Sequence, residues 1–260
     1  MHSLRLLGTG AALSCSLVLH AATLAPLHGR CTIGASGDSA RFRLEVRPDD
    51  CPESRHCGSN FSSESLTRFT GITLADLARE GANLTATLAA ESGTFTCTGT
   101  VRDHELEGRS VFTPNDAFVE KMDGMGYTGL NSEKLMAYTF VGVDSAWVQS
   151  MKQTGVKGMT ADNLLALRIF NINPDYVHSF TSMGYEMPDA DKFVALKVQG
   201  VNAEEVRQIR VLGYQPTLDE LIQIRIFKIT PEFIRRMQDR GLKDLTIAKL
   251  VQIKIFKLDE

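Results

Sequence analysis

The chain has 260 residues, 43% of them apolar and 23% charged, with 28 Lys and Arg against 31 Asp and Glu. This apolar content excludes a disordered chain, and a net charge of −3 leaves no cation excess to displace counterions from nucleic acid. Five cysteines in this length exclude a disulfide-dense miniprotein.

Residues 1–25 read as a secretory signal peptide. Arg5 precedes an apolar stretch from Leu6 to Leu19, and small residues follow from Ala21 to Ala25. Cleavage is expected near Ala22 or Ala25, and Pro26 hinders the second site. The stretch is close to the shortest that crosses a bilayer, so an uncleaved inner-membrane anchor is the alternative. No other transmembrane segment is expected. Removal of the leader takes away Cys15 and leaves Cys31, Cys51, Cys57 and Cys97 in a periplasmic or extracellular, oxidising setting. Two disulfides in any of three connectivities are the simplest account. Cys51, His56 and Cys57 match no standard zinc spacing, so no metal is predicted.

Residues 26–113 read as a β-rich domain. Arg41–Arg47 alternates apolar and polar residues, as a half-buried strand does. Asn83–Ala90, Thr94–Val101 and Glu107–Phe112 follow, separated by turns at Glu91-Ser92-Gly93 and Arg102-Asp103-His104. The expectation is an antiparallel meander, with Pro48–Cys57 and Ser59–Ser65 as connectors and Gly34–Ser39 as a post-signal segment.

Residues 114–260 carry a period. Gly126, Gly155, Gly184, Gly213 and Gly241 recur at intervals of 29, 29, 29 and 28. Eleven residues before each stands an N-cap residue: Asn115, Asp144, Asn173, Asn202 and Thr230. Between cap and glycine lies an aromatic column, Phe118, Trp147, Tyr176 and Phe233, broken only by Glu205. Apolar columns beside it (Val148 and Met151, for example) complete one face of a short helix ended by a left-handed glycine. A second helix follows, with columns such as Leu135, Leu164, Phe193, Leu221 and Leu250. Gly142, Asn171, Gly200, Lys228 and Lys257 stand at its end. The string IRIFKI also alternates like a strand, but LDELIQI and ADNLLAL hold strong helix formers after a Thr cap. The predicted architecture is α+β: an antiparallel β domain, then an α-helical solenoid of five two-helix repeats.

The strings INPDYVHSFTSMGY and ITPEFIRRMQDRGL, with ADNLLALRIF and LDELIQIRIF, resemble a repeat of bacterial exported proteins. Similar repeats lie C-terminal to the membrane-embedded zinc peptidase of beta-lactamase-regulator-type sensors. The resemblance covers roughly residues 84–258. It implies an exported or membrane-associated protein and no catalytic residue, because the peptidase's HExxH motif has no counterpart here. The His-Gly that usually ends the second helix is replaced by Phe170-Asn171 and Phe227-Lys228.

Candidate chemistry is sparse. Asp103-His104-Glu105 reads as a hairpin turn, since neighbours in an extended chain point apart. No GxSxG, GxGxxG, Walker lysine loop or EF-hand occurs, so neither catalysis nor a cofactor is predicted. One column does suggest binding. Arg168, Lys197, Arg225 and Lys254 fall at equivalent positions, about 10 Å apart if successive helices pack side by side. Phe170, Phe227 and Phe256 stand two residues further on. Cations beside apolar rings fit a protein partner or an anionic polymer. The expected function is therefore a non-catalytic exported binding or scaffold protein. A membrane-associated accessory of a bacterial signalling system is the alternative, and a hydrolase using His104 or a serine comes third. The sequence is silent on oligomeric state.

Overall fold

A computed structural model describes residues 24–37, 41–49, 59–242 and 245–258. The leader up to residue 23, Cys51, His56 and Cys57 lie outside the described residues.

The N-terminal part is one antiparallel sheet built from seven strands. They are β1 (Leu27–Ala35), β2 (Arg41–Pro48), β3 (Ser59–Ser65), β4 (Phe69–Thr70), β5 (Asn83–Ala90), β6 (Gly93–Arg102) and β7 (Glu105–Pro114). A single helical turn, α1 (Leu74–Leu77), follows β4 under a Thr73 capping box. In β2 the alternation works as expected: Phe42, Leu44 and Val46 are buried while Arg41, Arg43, Glu45 and Arg47 face solvent.

Two expectations are corrected. The order is β3-β2-β1-β7-β6-β5-β4, so β1 pairs with β7 as well as β2 and the sheet is not a simple meander. Segments expected as connectors or leader remnants are also strands: Ser59–Ser65 is the edge strand β3, and Gly34 and Ala35 end β1. The physical reason is that backbone pairing makes this serine-rich edge strand, and composition does not report backbone pairing. The turn at Asp103-His104 is a hairpin turn, with both residues at positive φ (49° and 62°) and Glu80 accepting from both backbone N–H groups.

Cys31 and Cys97 form a disulfide between β1 and β6, with their Cα atoms 6.0 Å apart. Each of these strands neighbours β7, and in a flat sheet strands two apart are separated by about 9.6 Å. The sheet is therefore sharply curled at this point.

Ten helices follow among the described residues: α2 (Asp116–Gly124), α3 (Ser132–Val141), α4 (Ser145–Gln153), α5 (Ala161–Ile169), α6 (Pro174–Thr181), α7 (Ala190–Val198), α8 (Ala203–Val211), α9 (Leu218–Ile226), α10 (Pro231–Asp239) and α11 (Ile247–Ile255). The five caps expected for the even-numbered helices each accept a backbone N–H. Asn131, Thr160, Asp189, Thr217 and Thr246 do the same for the odd-numbered ones. Gly126, Gly155, Gly184, Gly213 and Gly241 take positive φ, and so do Gly142, Asn171, Gly200, Lys228 and Lys257. IRIFKI ends a helix, not a strand.

α3 lies on β5, β6 and β7, where Phe140 meets Phe95 edge to face at 5.0 Å. From there α3, α5, α7, α9 and α11 pack in succession, and α2 packs on α4 as α8 does on α10. One continuous apolar core runs from the sheet through all ten helices.

Candidate binding face of the helical array

Each predicted cation is seated on its own helix pair. Lys197 Nζ stands 4.3 Å from the centre of the Tyr176 ring, and Lys254 Nζ 4.1 Å from that of Phe233. Arg168 lies over Trp147 at 5.2 Å. Arg225 faces Glu205, the one non-aromatic member of that column, and pairs with its carboxylate at 2.8 Å. The break in the aromatic column thus changes the kind of attraction from cation–π to ion pair and preserves the cation's position. Arg225 Nε also donates to the Gln199 carbonyl at the C-terminal end of α7, where the helix dipole favours positive charge.

These cations are not a row of freely solvated charges. Arg168, Lys197 and Lys254 are half-buried and Arg225 is exposed. Phe170 and Phe256 are exposed, and Phe227 is half-buried in the core's margin. In the first helix pair the equivalent position is Thr139, which is buried and shares a 2.8 Å hydrogen bond with Ser92 in the β5–β6 turn.

Around Lys197 the surface opens into a groove of about 430 Å³, lined by Asn171, Asn173, Asp175, Tyr176, Gly200 and Asn202 among others. Burial pushes the Tyr176 hydroxyl well above the usual tyrosine range, so it stays protonated and donates to the Val201 carbonyl at 3.0 Å. The groove therefore sets one fixed ammonium group and side-chain amides beside the Asp175 carboxylate, a set suited to a polar ligand that both donates and accepts hydrogen bonds.

In the sequence Glu91 reads only as a turn residue, yet it ties the sheet to the helices. Its carboxylate accepts from the backbone N–H of Ser145 at 2.7 Å and the Ser145 hydroxyl at 2.6 Å, at the start of α4. It also pairs with Lys121 of α2 at 2.8 Å. Burial raises its pKa, but Lys121, the Ser145 hydroxyl and the Ser145 N–H together bring it below the usual glutamate value of 4.5. A folded-state value below the unfolded one means that this stabilisation is present above about pH 4.5 and is lost as the pH falls through the folded value. Glu91→Gln is expected to lower the unfolding free energy by about 1–2 kcal/mol at pH 7, with the difference from wild type vanishing in acid. Urea titrations at both pH values check this, and an equal difference at both would remove Glu91 from the junction.

His104 projects from the hairpin turn with Nδ1 3.8 Å from Glu80. Among the described residues no three His, Cys, Asp or Glu side chains form a metal-binding group, and no helix is long and apolar enough to cross a membrane. The chain matches no family model, no curated protein and no solved structure in the comparisons made with each.

Proposed function

We propose that this chain is a non-catalytic exported binding or scaffold protein, whose ten helices are five copies of a two-helix unit stacked as a solenoid. One observation carries the reading: equivalent positions in successive units repeat the same contacts. Lys134 pairs with Asp162 at 2.7 Å, Asn163 donates to Asp191, and Lys192 pairs with Asp219, each reaching from one unit to the next. Lys152 donates to the Met125 carbonyl beside the Tyr127 ring. Arg210, two units further on, repeats this at Met183 and Tyr185.

The end units support it too. Val119 is half-buried whereas Val148, Val177, Val206 and Ile234 are buried. Ile253 is half-buried whereas Tyr138, Leu167, Leu196 and Ile224 are buried. A stack in which each unit is covered by its neighbours leaves such end positions uncovered.

The seated cations and the groove at Lys197 are the surface we assign to a protein or an extended anionic ligand. Cations already held on rings or a carboxylate lose little further side-chain entropy on binding. Export is supported by the signal-like leader, by the Cys31–Cys97 disulfide and by the resemblance of the repeats to those of exported proteins. Leu24 and Ala25 favour cleavage after Ala22 over cleavage after Ala25. The Leu24 N–H donates to Asp116 and the Ala25 carbonyl accepts from Ser132, and both contacts survive only the earlier cut.

Two measurements test the reading. The intact mass of protein recovered from its host is expected to correspond to a chain beginning at Thr23, and a chain retaining Met1 replaces the soluble reading with the membrane-anchored accessory. Any protein that co-purifies with the native chain is expected to be lost from Lys197→Glu/Lys254→Glu. A partner held equally by that variant removes the cation face from the proposal.

A further inference from the structure

One residue after each cation stands an apolar residue that the core does not use. Ile169, Val198, Ile226 and Ile255 are 56%, 51%, 52% and 52% exposed, and each is the last residue of its helix. Four residues earlier on the same helix faces lie Leu165, Val194, Ile222 and Val251, all half-buried. The outward side of α5, α7, α9 and α11 thus carries four apolar rungs with no cover among the described residues. In the first unit the equivalent residue is Phe140, which is buried against Phe95 of the protein's own sheet. The stripe is therefore continuous with a face that this molecule already uses for docking.

We propose that a second copy of this chain covers the stripe, in an antiparallel two-fold dimer that pairs Ile169 with Ile255 and Val198 with Ile226. The inference rests on the repeat reading above. The sheet occupies the first rung of the same face, so a parallel arrangement would bring sheet onto sheet and hold the stripes apart. An antiparallel arrangement carries each sheet past the other copy's last rung and uses every exposed rung once.

One feature favours a protein surface over a lipid one: Ile169, Val198, Ile226 and Ile255 are all β-branched and stiff at χ1, which suits a fixed complementary surface. Four rungs roughly 9 Å apart and one helix face deep offer about 500 Å² per copy. That is the low end of specific interfaces, so the dimer dissociates in the micromolar range.

Sedimentation equilibrium of the full chain between about 1 and 300 μM, a range that brackets micromolar dissociation, tests this. Val198→Lys, Ile226→Glu and their equimolar mixture are run beside wild type. Wild type is expected to move from the chain mass to twice that mass. Each variant alone is expected to stay at the chain mass, with a thermal melt unchanged because both positions are exposed. The mixture is expected to recover the dimer. There the lysine introduced into one copy meets the glutamate introduced into the other, while the remaining Val198–Ile226 contact is intact. The apolar leader is common to all samples and cannot produce that recovery. A wild type that stays monomeric, a dimer that survives in Val198→Lys, or a mixture that fails to associate each overturns the proposal. A monomer with an unchanged melt leaves the five-unit reading standing and gives the stripe to another protein.

Discussion

Replacing Cys31 and Cys97 together by alanine is expected to lower the unfolding free energy by about 4 kcal/mol, the chain-entropy value for a closed loop of this size. The bond joins residues 66 apart in sequence, so it removes many conformations from the unfolded chain. In the folded state both half-cystines are buried, and they hold β1 over β6 across the intervening β7. The loss therefore falls on the sheet's curl, and through Phe95 and Phe140 on the seat of α3. Urea unfolding followed by far-UV circular dichroism reads both parts, with the sheet expected to melt before the later helices. Wild type treated with a reductant should match the double variant. Equal midpoints for oxidised and reduced wild type would mean that the bond contributes nothing. Loss of this size on reduction also bears on compartment, because a sheet that depends on the bond is best kept where thiols oxidise.

Legibility in the sequence followed how local the cause was. The helices were readable because cap, apolar columns and left-handed terminus all lie within about a dozen residues of one another, and Asn115, Phe118 and Gly126 report one helix by themselves. β2 and β5 were readable for the same reason. β1 was not: Gly29 and Gly34 interrupt its alternation, and its place between β2 and β7 is set by partners far along the chain. The cation column was visible, but its meaning was not, since Arg168 meets Trp147 from 21 residues away. Side by side, the cation and aromatic columns pair Arg225 with Glu205. In α3, Thr139 and Phe140 stand where the later helices carry a cation and an exposed aliphatic residue, because the sheet covers that face. Glu91 gave no signal, because a turn glutamate looks the same whether it faces water or the start of α4.

Gly99→Ala is expected to cost at least about 3 kcal/mol, as is Gly108→Ala, while Gly37→Ala stays within about 0.5 kcal/mol of wild type. Gly99 and Gly108 face each other across β6 and β7, and Gly108 also pairs with Cys31 on β1. A Cβ at Gly99 would stand 1.9 Å from the Glu107 carbonyl oxygen, and one at Gly108 2.1 Å from that of Thr98. Both obstacles are backbone, so no side-chain rotation relieves them and the strands must separate. Nothing lies within 4 Å of a Cβ at Gly37, which makes it the control for the loss of glycine's chain freedom. Close approach at this glycine pair lets the sheet curl where the disulfide spans it, so the two features act on one geometry. Contributions that share a geometry do not add, and in the Cys31→Ala/Cys97→Ala background the sheet is freer to open. Gly99→Ala is expected to cost at least about 1 kcal/mol less there than in wild type. A double-mutant cycle by urea denaturation measures that difference, and strictly additive losses would separate the glycine pair from the curl.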